Sequence, residues 1–285
     1  MHWLIADLLM FASSVALYLA VRRASLRKMS VSSTNLAMFA VPLPIFIALS
    51  IASRQAWHVT LLQLLILAAT GAIVYFSNLI SLKSIELAAN PGYSLVVSKS
   101  YVILTTLVAV PLFHARLSPY ALLAIILIIL FSCFIFIQRP QHGQNKGHIW
   151  LLFAMGALVA SSKPVLTAKL LLDQGIQPLM FVTYVFIVAN LCLLVVSVIK
   201  RQPPRVTGNH MQVFLLIGLL GVALNYFNFL AIGIAPNVGY VNATYAGSIG
   251  LVTLLSAWLF KDELTLRKLI GVLGVIGALT MLLLS

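Results

Sequence analysis

The sequence contains very little charge, and acidic residues are much scarcer than basic ones. Of its 285 residues only five are Asp or Glu, and charged residues make up 8% of the chain, whereas about a quarter is usual for a soluble domain. Five carboxylates are too few for an ordinary metal or phosphotransfer centre, and the sequence has no HExxH motif and no Walker lysine loop. We therefore expect neither a metalloenzyme nor a transporter driven directly by ATP.

Cysteine is scarcer still, with two residues. Cys133 and Cys192 lie in apolar runs, without CxxC spacing or a neighbouring His, so the sequence predicts no disulfide, no metal site and no cofactor. The first apolar stretch, 3–21, has no Lys or Arg ahead of it and two arginines behind it, which is the reverse of a cleavable signal peptide. We expect it to form the first transmembrane helix.

Apolar residues dominate what remains, at 62% of the chain. Because the hydrocarbon core of a bilayer is about 30 Å thick, a crossing helix needs roughly 20 mostly apolar residues. The sequence therefore predicts an all-α membrane protein with ten transmembrane helices, short connections and no separate soluble domain. The predicted spans are 3–21, 35–52, 60–82, 87–113, 118–137, 149–171, 178–199, 213–233, 237–260 and 266–284.

The basic residues, which give a net charge of +13, indicate orientation and not nucleic-acid binding. Of the 18 Lys and Arg residues, two (Lys99 and Lys163) lie well inside spans, three (Arg54, Arg116 and Lys169) lie near span ends on one side, and the other thirteen lie in or beside the connections after spans 1, 3, 5, 7 and 9. Positively charged connections stay in the cytoplasm, which places both termini outside. We expect a bacterial inner-membrane protein surrounded by lipid, with no nucleic-acid partner.

The two halves of the sequence resemble one another. Asn90-Pro-Gly-Tyr93 recurs as Asn237-Val-Gly-Tyr240 at an offset of 147 residues, and Ala12-Ser-Ser14 recurs as Ala160-Ser-Ser162 at an offset of 148. Each half carries five predicted spans. Since five is odd, the second half would enter the membrane inverted relative to the first, an arrangement typical of alternating-access transporters.

This repetition predicts one integral membrane domain made of two five-helix repeats, 1–139 and 140–285. Substrate and coupling sites of inverted-repeat transporters lie near the midplane of the membrane, between the repeats. We therefore expect the functional residues to lie inside the helical bundle.

The end of the chain resembles a known family. Pro236 to Tyr245, Trp258-Leu-Phe-Lys-Asp-Glu-Leu-Thr265 and the glycine-bearing last span look like the ninth helix, the short acidic turn and the tenth helix of EamA-like members of the drug/metabolite transporter superfamily. The turn has Lys261-Asp262 where the family usually has Gly. The resemblance implies a carrier that moves small metabolites, amino acids, drugs or nucleotide-sugar-like compounds through a central cavity. It also implies cytoplasmic termini, in conflict with the charge count, and we retain the charge-based orientation.

Two lysines inside predicted spans are candidate substrate-binding residues, because a charge within the bilayer costs about 2.5–3.5 kcal/mol. Lys99, about two turns into the fourth span, would offer an ammonium to an anionic group; the alternatives are a pair with Glu86 or a side chain that reaches the interface. Lys163 precedes Pro164, which favours a kink or break beside a cation. The alternative is a lysine at the end of a shorter helix.

Glu86 is the candidate coupling residue, since proton-coupled transporters need a carboxyl whose proton affinity burial can raise. Its position between the third and fourth spans favours the membrane interface instead, and Asp7 is the only other carboxylate near an inner position. Asp262 and Glu263 lie in the last connection, where we expect solvated pairs with the basic residues beside them.

Amide and phenol side chains in spans 4, 8 and 9 predict a cavity for a polar organic ligand. Residues three apart share a helix face, and the halves are mirrored, so these side chains would converge. The alternative is hydrogen bonding between helices. The residues are Tyr93, Asn225, Asn228, Tyr240, Asn242 and Tyr245.

Three classes of function remain open. A secondary carrier for a small molecule is favoured, and the paired lysines favour an anionic or zwitterionic metabolite. An integral-membrane lipid-modifying enzyme lacks the expected motifs, and a non-transporting scaffold subunit would not need polar residues in mirrored helices. Gly271, Gly274 and Gly277 in the last span allow close helix approach, so a homodimer is the other partner that we consider.

Overall fold

A computed structural model describes residues 2–54, 57–101, 103–105, 108, 118–136, 149–201, 206–234 and 238–284, and all regular secondary structure in them is helical. This confirms the predicted all-α class. Each of the ten predicted spans contains at least one described helix. The helices are α1 (Trp3–Leu26), α2 (Val31–Ala40), α3 (Pro42–Ala52), α4 (Leu61–Leu87), α5 (Pro91–Lys99), α6 (Pro119–Phe136), α7 (Ile149–Asp173), α8 (Pro178–Lys200), α9 (Gly208–Ile234), α10 (Val238–Phe260) and α11 (Leu266–Leu284).

Six of the described helical segments are long and apolar enough to cross a membrane. α2 and α3 count together as one of them, Val31–Ala52, and shorter apolar stretches occur at Leu122–Phe131 and Gly247–Phe260. Apolar side chains cover much of the outer surface of these helices, as a lipid environment requires. The chain is an integral membrane protein.

The second predicted span is interrupted. α2 ends at Ala40 and α3 begins at Pro42, because proline lacks the backbone N–H that would continue the hydrogen-bond ladder. Val41 at the break lies against Gly218 of α9: a Cβ added to this glycine would lie 2.3 Å from the Val41 Cβ. The helices could not approach so closely with a larger residue at 218.

The junction of the third and fourth predicted spans also differs from the prediction. α4 continues to Leu87, five residues beyond the predicted end, and α5 begins at Pro91 rather than at 87. The Asn90 side chain caps α5 by accepting a 2.9 Å hydrogen bond from the Gly92 N–H, and Pro91 suits a first helical turn. α5 ends at Lys99, and the end of the predicted span, 109–113, lies outside the described residues.

The two halves of the chain pack across one another. α1 packs mainly on α9 and α10, α4 packs on α7 and α8, and α6 packs on α11. α5 contacts both α7 and α10. The predicted boundary near residue 139 falls in 137–148, outside the described residues. This packing surrounds a central space with helices from both halves.

Candidate functional site

A cavity of about 200 Å³ lies inside the bundle. Helices from both halves of the chain line it, and its walls are mixed: α2 and α8 contribute apolar side chains, α1 contributes both kinds, and α4, α5, α7, α9 and α10 contribute polar side chains. Its polar lining residues are Tyr18, Ser77, Asn78, Ser81, Lys99, Tyr101, Ser161, Asn225, Asn228 and Tyr245. Four of the residues predicted from sequence, Lys99, Asn225, Asn228 and Tyr245, therefore share one cavity.

Lys99 holds its ammonium among three tyrosines. Nζ donates a 2.8 Å hydrogen bond to the Tyr245 hydroxyl, which lies 3.1 Å from the Tyr18 hydroxyl. The same nitrogen lies 4.4 Å from the centroid of the Tyr245 ring and 5.8 Å from those of Tyr18 and Tyr101. Aromatic faces attract a cation without neutralising it. The cluster keeps a positive charge in place at the cavity wall.

No acidic side chain is among the cavity-lining residues that the structure describes. Lys99 pairs with neither Glu86 nor any other described carboxylate. A cation with only neutral partners can gain a charge-assisted hydrogen bond from an anionic group that enters the cavity. The site is chemically suited to a carboxylate or a similar anion.

Amide groups extend the polar wall on the other side of the cavity. The Asn225 amide donates a 2.8 Å hydrogen bond to the carbonyl of Gly221 in its own helix, which leaves its oxygen for other donors. The Asn78 amide donates to Asn35 Oδ1 at 2.6 Å. Asn228 also lines the cavity. Such groups orient a polar ligand within a mostly apolar pocket.

Sequence reasoning missed the α4 contribution to this wall. Ser77, Asn78 and Ser81 lie in an apolar run, whereas the residues predicted from sequence are amides, phenols and charged groups in other spans. The signal was present, because Ser77 and Ser81 are four residues apart and share one helix face with Val74. A search for small polar residues at helical spacing inside apolar spans would have found them.

The structure places the remaining candidates elsewhere. Lys163 is exposed on α7, although its neighbour Pro164 lines the cavity and the helix continues through this proline. Glu86 is exposed and pairs with Lys83 at 2.6 Å. The backbone of α10 carries Tyr240 and Asn242, whose side chains lie outside the described part of the structure.

Tyr93 belongs to a polar cluster at one end of the bundle. It is fully buried, and its hydroxyl donates a 2.6 Å hydrogen bond to the Glu263 carbonyl. The Lys268 ammonium lies 4.7 Å from the Tyr93 ring centroid and 2.7 Å from Glu263 Oε1. Its predicted mirror partner is Tyr240, whose side chain lies outside the described residues. Tyr93 therefore joins α5 to the α10–α11 connection outside the cavity.

The same cluster contains a buried ion pair, where the sequence predicted solvated ones. Arg22 Nε donates to Asp262 Oδ2 at 2.9 Å, and the two side chains are 9% and 5% exposed. Ser256 also donates to Asp262, and Arg22 lies 3.4 Å from the Ala89 carbonyl oxygen. Asp262 bonds to an arginine 240 residues away because α1 and α10 pack side by side.

The described residues contain no group of three or more His, Cys, Asp or Glu side chains that could hold a metal ion. The cavity chemistry rests on one ammonium, several hydroxyls and several amides.

Comparison with known proteins gives a family for the second half of the chain. Residues 148–284 match the model of the EamA-like transporter family. No curated protein matches the sequence. A protein with a solved crystal structure is similar over 97% of this chain and 97% of its own, with a TM-score of 0.71 and 15% identity. At that identity the likeness shows the fold alone, and it covers both halves.

Proposed function

We propose that this chain is a secondary active transporter of a small polar metabolite. It belongs to the EamA-like transporter family, whose model matches residues 148–284. The family is one of membrane transporters. We further propose that the substrate is anionic or zwitterionic, such as an amino acid or an organic anion, and that transport occurs by alternating access.

The position of Lys99 is the observation that carries the substrate proposal. Its ammonium lies at the wall of the central cavity, with phenols as its described partners. A substrate carboxylate would replace a neutral hydroxyl with a charge-assisted partner. The amides of Asn225 and Asn228 would bind the other polar groups of such a substrate.

The size of the cavity supports a small metabolite. About 200 Å³ lies below the roughly 300–1,000 Å³ of sites for drug-sized ligands. An amino acid or a short organic acid suits this space better than a nucleotide sugar or a large drug. The surrounding tyrosines would keep a partly apolar ligand in contact with aromatic surface.

Mirrored packing supports the proposal of two inverted repeats. In the predicted repeat α1 corresponds to α7, α4 to α9, and α5 to α10. The contact of α1 with α9 then corresponds to that of α7 with α4, and the contact of α1 with α10 corresponds to that of α7 with α5; all four occur. A pseudo-two-fold arrangement allows one site to face either side of the membrane in turn.

The lipid-modifying enzyme and the scaffold subunit receive less support. The matched family is one of transporters, and a scaffold needs no cationic cavity. The charge count still supports an orientation in the bacterial inner membrane with both termini outside.

Ligand-induced stabilisation tests the proposal. The purified protein in detergent would be heated with anionic, zwitterionic, neutral and cationic metabolites in turn. A ligand at about 100 times its dissociation constant stabilises the folded state by about 2.7 kcal/mol. We expect anions or amino acids to raise the melting temperature and Lys99→Gln to abolish the rise.

Two further lysine variants make the test specific. Lys169→Gln is the matched control, because Lys169 is exposed on α7 and 3.3 Å from Asp173. Lys163→Gln should also keep the ligand effect, since its side chain is exposed. Stabilisation by cations or neutral compounds alone, or an undiminished effect in Lys99→Gln, would refute the substrate proposal.

A further inference from the structure

A line of polar contacts joins α1 to α10, and we call it the α1–α10 seam. Ser14 Oγ lies 2.9 Å from Ser248 Oγ, and both residues are fully buried. The hydroxyls of Tyr18 and Tyr245 meet at 3.1 Å. The seam therefore passes from the bundle interior to the Lys99 cavity, which both tyrosines line.

Asp7 lies at the other end of the seam. It precedes Ser14 by seven residues, so it shares the same face of α1, and its side chain forms a hydrogen bond with Thr244 of α10. The residue is 2% exposed, and its Oδ1 has no hydrogen-bond partner among the described residues. An ionised carboxylate is costly to bury without charged or hydrogen-bonding partners. The closed seam therefore favours a protonated Asp7.

No described charged group offsets this cost. The described ion pairs do not include Asp7. Arg22 pairs with Asp262 at the opposite end of α1, and His210 of α9 lies near that same end, 3.1 Å from the Arg27 carbonyl oxygen. The titratable side chains described on α1, on its N-cap and on the helices in contact with it (α2, α4, α9 and α10) are, besides Asp7 itself, His2, Tyr18, Arg22, Arg23, Tyr75, Lys83, Glu86, His210, Tyr226 and Tyr245.

We propose that Asp7 is the proton-binding site of this carrier and that the α1–α10 seam couples it to the Lys99 cavity. This inference rests on the proposed function. Thr244, which bonds Asp7, is the chain neighbour of Tyr245, which accepts the hydrogen bond from Lys99. The two sites are therefore held by one turn of α10 and one face of α1.

The coupling follows from competition for Lys99. A ligand anion that takes the ammonium removes the hydrogen bond to Tyr245 and weakens its contact with Tyr18. The seam loosens, water reaches Asp7, and the carboxyl releases its proton. By thermodynamic reciprocity, a proton on Asp7 weakens ligand binding to the same degree, so the carrier exchanges protons against its substrate.

Asp7 is well placed to exchange protons with one side of the membrane. It lies four residues after Trp3, the first residue of α1, which is about 6 Å along the helix axis. Only a short opening of the seam would connect it to the solution beside the N-terminus. Glu86, the carboxylate selected from sequence, is already exposed and paired with Lys83.

The experiment measures how fast a maleimide labels a cysteine placed in the seam. Ser14→Cys provides the thiol in the full chain, with Cys133 and Cys192 replaced by serine. The same protein carrying Asp7→Asn has a side chain that cannot ionise, so the ratio of the two rates cancels the pH dependence of the thiol. We expect the two proteins to be labelled at about the same rate at about pH 5. At about pH 9 we expect the protein that keeps Asp7 to be labelled about tenfold faster, or more, than the protein with Asp7→Asn.

Three further variants provide a second labelling site and two controls. Ser248→Cys reports on the same seam from α10, in case Ser14→Cys does not fold. Asp173→Asn changes an exposed carboxylate at the end of α7 and should not alter the ratio. Glu86→Gln tests the rival carboxylate and should also leave it unchanged.

Equal rates at both pH values would overturn the proposal, and so would an absence of labelling in both cysteine variants. If the pH response of labelling disappears in Glu86→Gln and persists in Asp7→Asn, the proton-binding residue is Glu86 and not Asp7. None of these measurements needs a transported compound. A failure here is therefore distinct from a failure to find any ligand.

Discussion

The Arg22–Asp262 and Lys83–Glu86 ion pairs place the same chemistry in two surroundings. The first pair is 9% and 5% exposed, and the second is 42% and 37% exposed. Removal of one partner from a buried pair costs about 3–5 kcal/mol, whereas an exposed pair contributes about 0–1 kcal/mol. We expect Asp262→Asn to lower the melting temperature in detergent strongly and Glu86→Gln to leave it almost unchanged.

Equal effects of the two substitutions would contradict the burial of the Arg22–Asp262 pair. Arg22→Gln provides a second test, since it leaves Asp262 buried without its cation and should destabilise the protein to a similar extent. Lys83→Gln is its exposed counterpart.

For single residues, the sequence predicts which side chains are functional candidates better than it predicts which residues those side chains contact. Lys99 could be selected because any charge inside a span is costly, and the structure places it at the cavity. The partner of Asp262 could not be predicted, because basic neighbours in sequence compete with an arginine 240 residues away. Asp7 was recognised as an inner carboxylate, but its contact with Thr244 depends on how α1 packs on α10.

Close approach of α5 and α10 provides a test at the scale of helices. A Cβ added to Gly92 would lie 1.8 Å from Thr253 Oγ1 and 3.0 Å from Thr253 Cα. The backbone of α10 cannot move away without disturbing the cluster around Tyr93. Overpacking of this kind costs about 1–3 kcal/mol. We expect Gly92→Ala to lower the melting temperature.

Gly277→Ala is the matched control, because a Cβ at Gly277 in α11 would meet no atom within 4 Å. It should leave the melting temperature unchanged or raise it, since alanine is the better helix former. Destabilisation by Gly277→Ala and not by Gly92→Ala would contradict the described packing.

Helix type was predictable because apolar runs of about 20 residues have few other uses. Helix ends were less so. The break at Val41 depends on Pro42. It was not predicted, because the span was identified from its apolar content alone. α4 extends past its predicted end because Lys83 and Glu86, three residues apart, pair on its surface and suit a helix as well as a loop.

The orientation of the whole molecule depends on the charge count, and cysteine labelling in intact cells tests it. Arg27→Cys lies after α1, in a connection expected in the cytoplasm, and Ser53→Cys lies after α3, on the opposite side. Both positions are exposed. With Cys133 and Cys192 replaced by serine, a membrane-impermeant maleimide should label residue 53 and label residue 27 only after permeabilisation.

The reverse labelling pattern would place the termini in the cytoplasm, as the family resemblance implies. It would leave the cavity and its lysine unaffected. The proton on Asp7 would then come from the cytoplasmic side.

The prediction of two inverted repeats rests on one matched tetrapeptide and one matched tripeptide. The contacts of α1 with α9 and of α4 with α7 form a matching pair under that prediction. The location of the cavity could not follow from the repeats alone, because it depends on side chains from several helices. The α4 serines that line it have no counterpart among the residues selected from sequence.

The most direct test of the carrier is counterflow in proteoliposomes. Vesicles containing the protein would be loaded with unlabelled amino acids and organic acids, diluted, and supplied with one labelled compound at a time. We predict transient accumulation of at least one anionic or zwitterionic compound by the unsubstituted protein and none by Lys99→Gln. Accumulation of no compound, or of cationic compounds alone, would contradict a carrier that binds its substrate at Lys99.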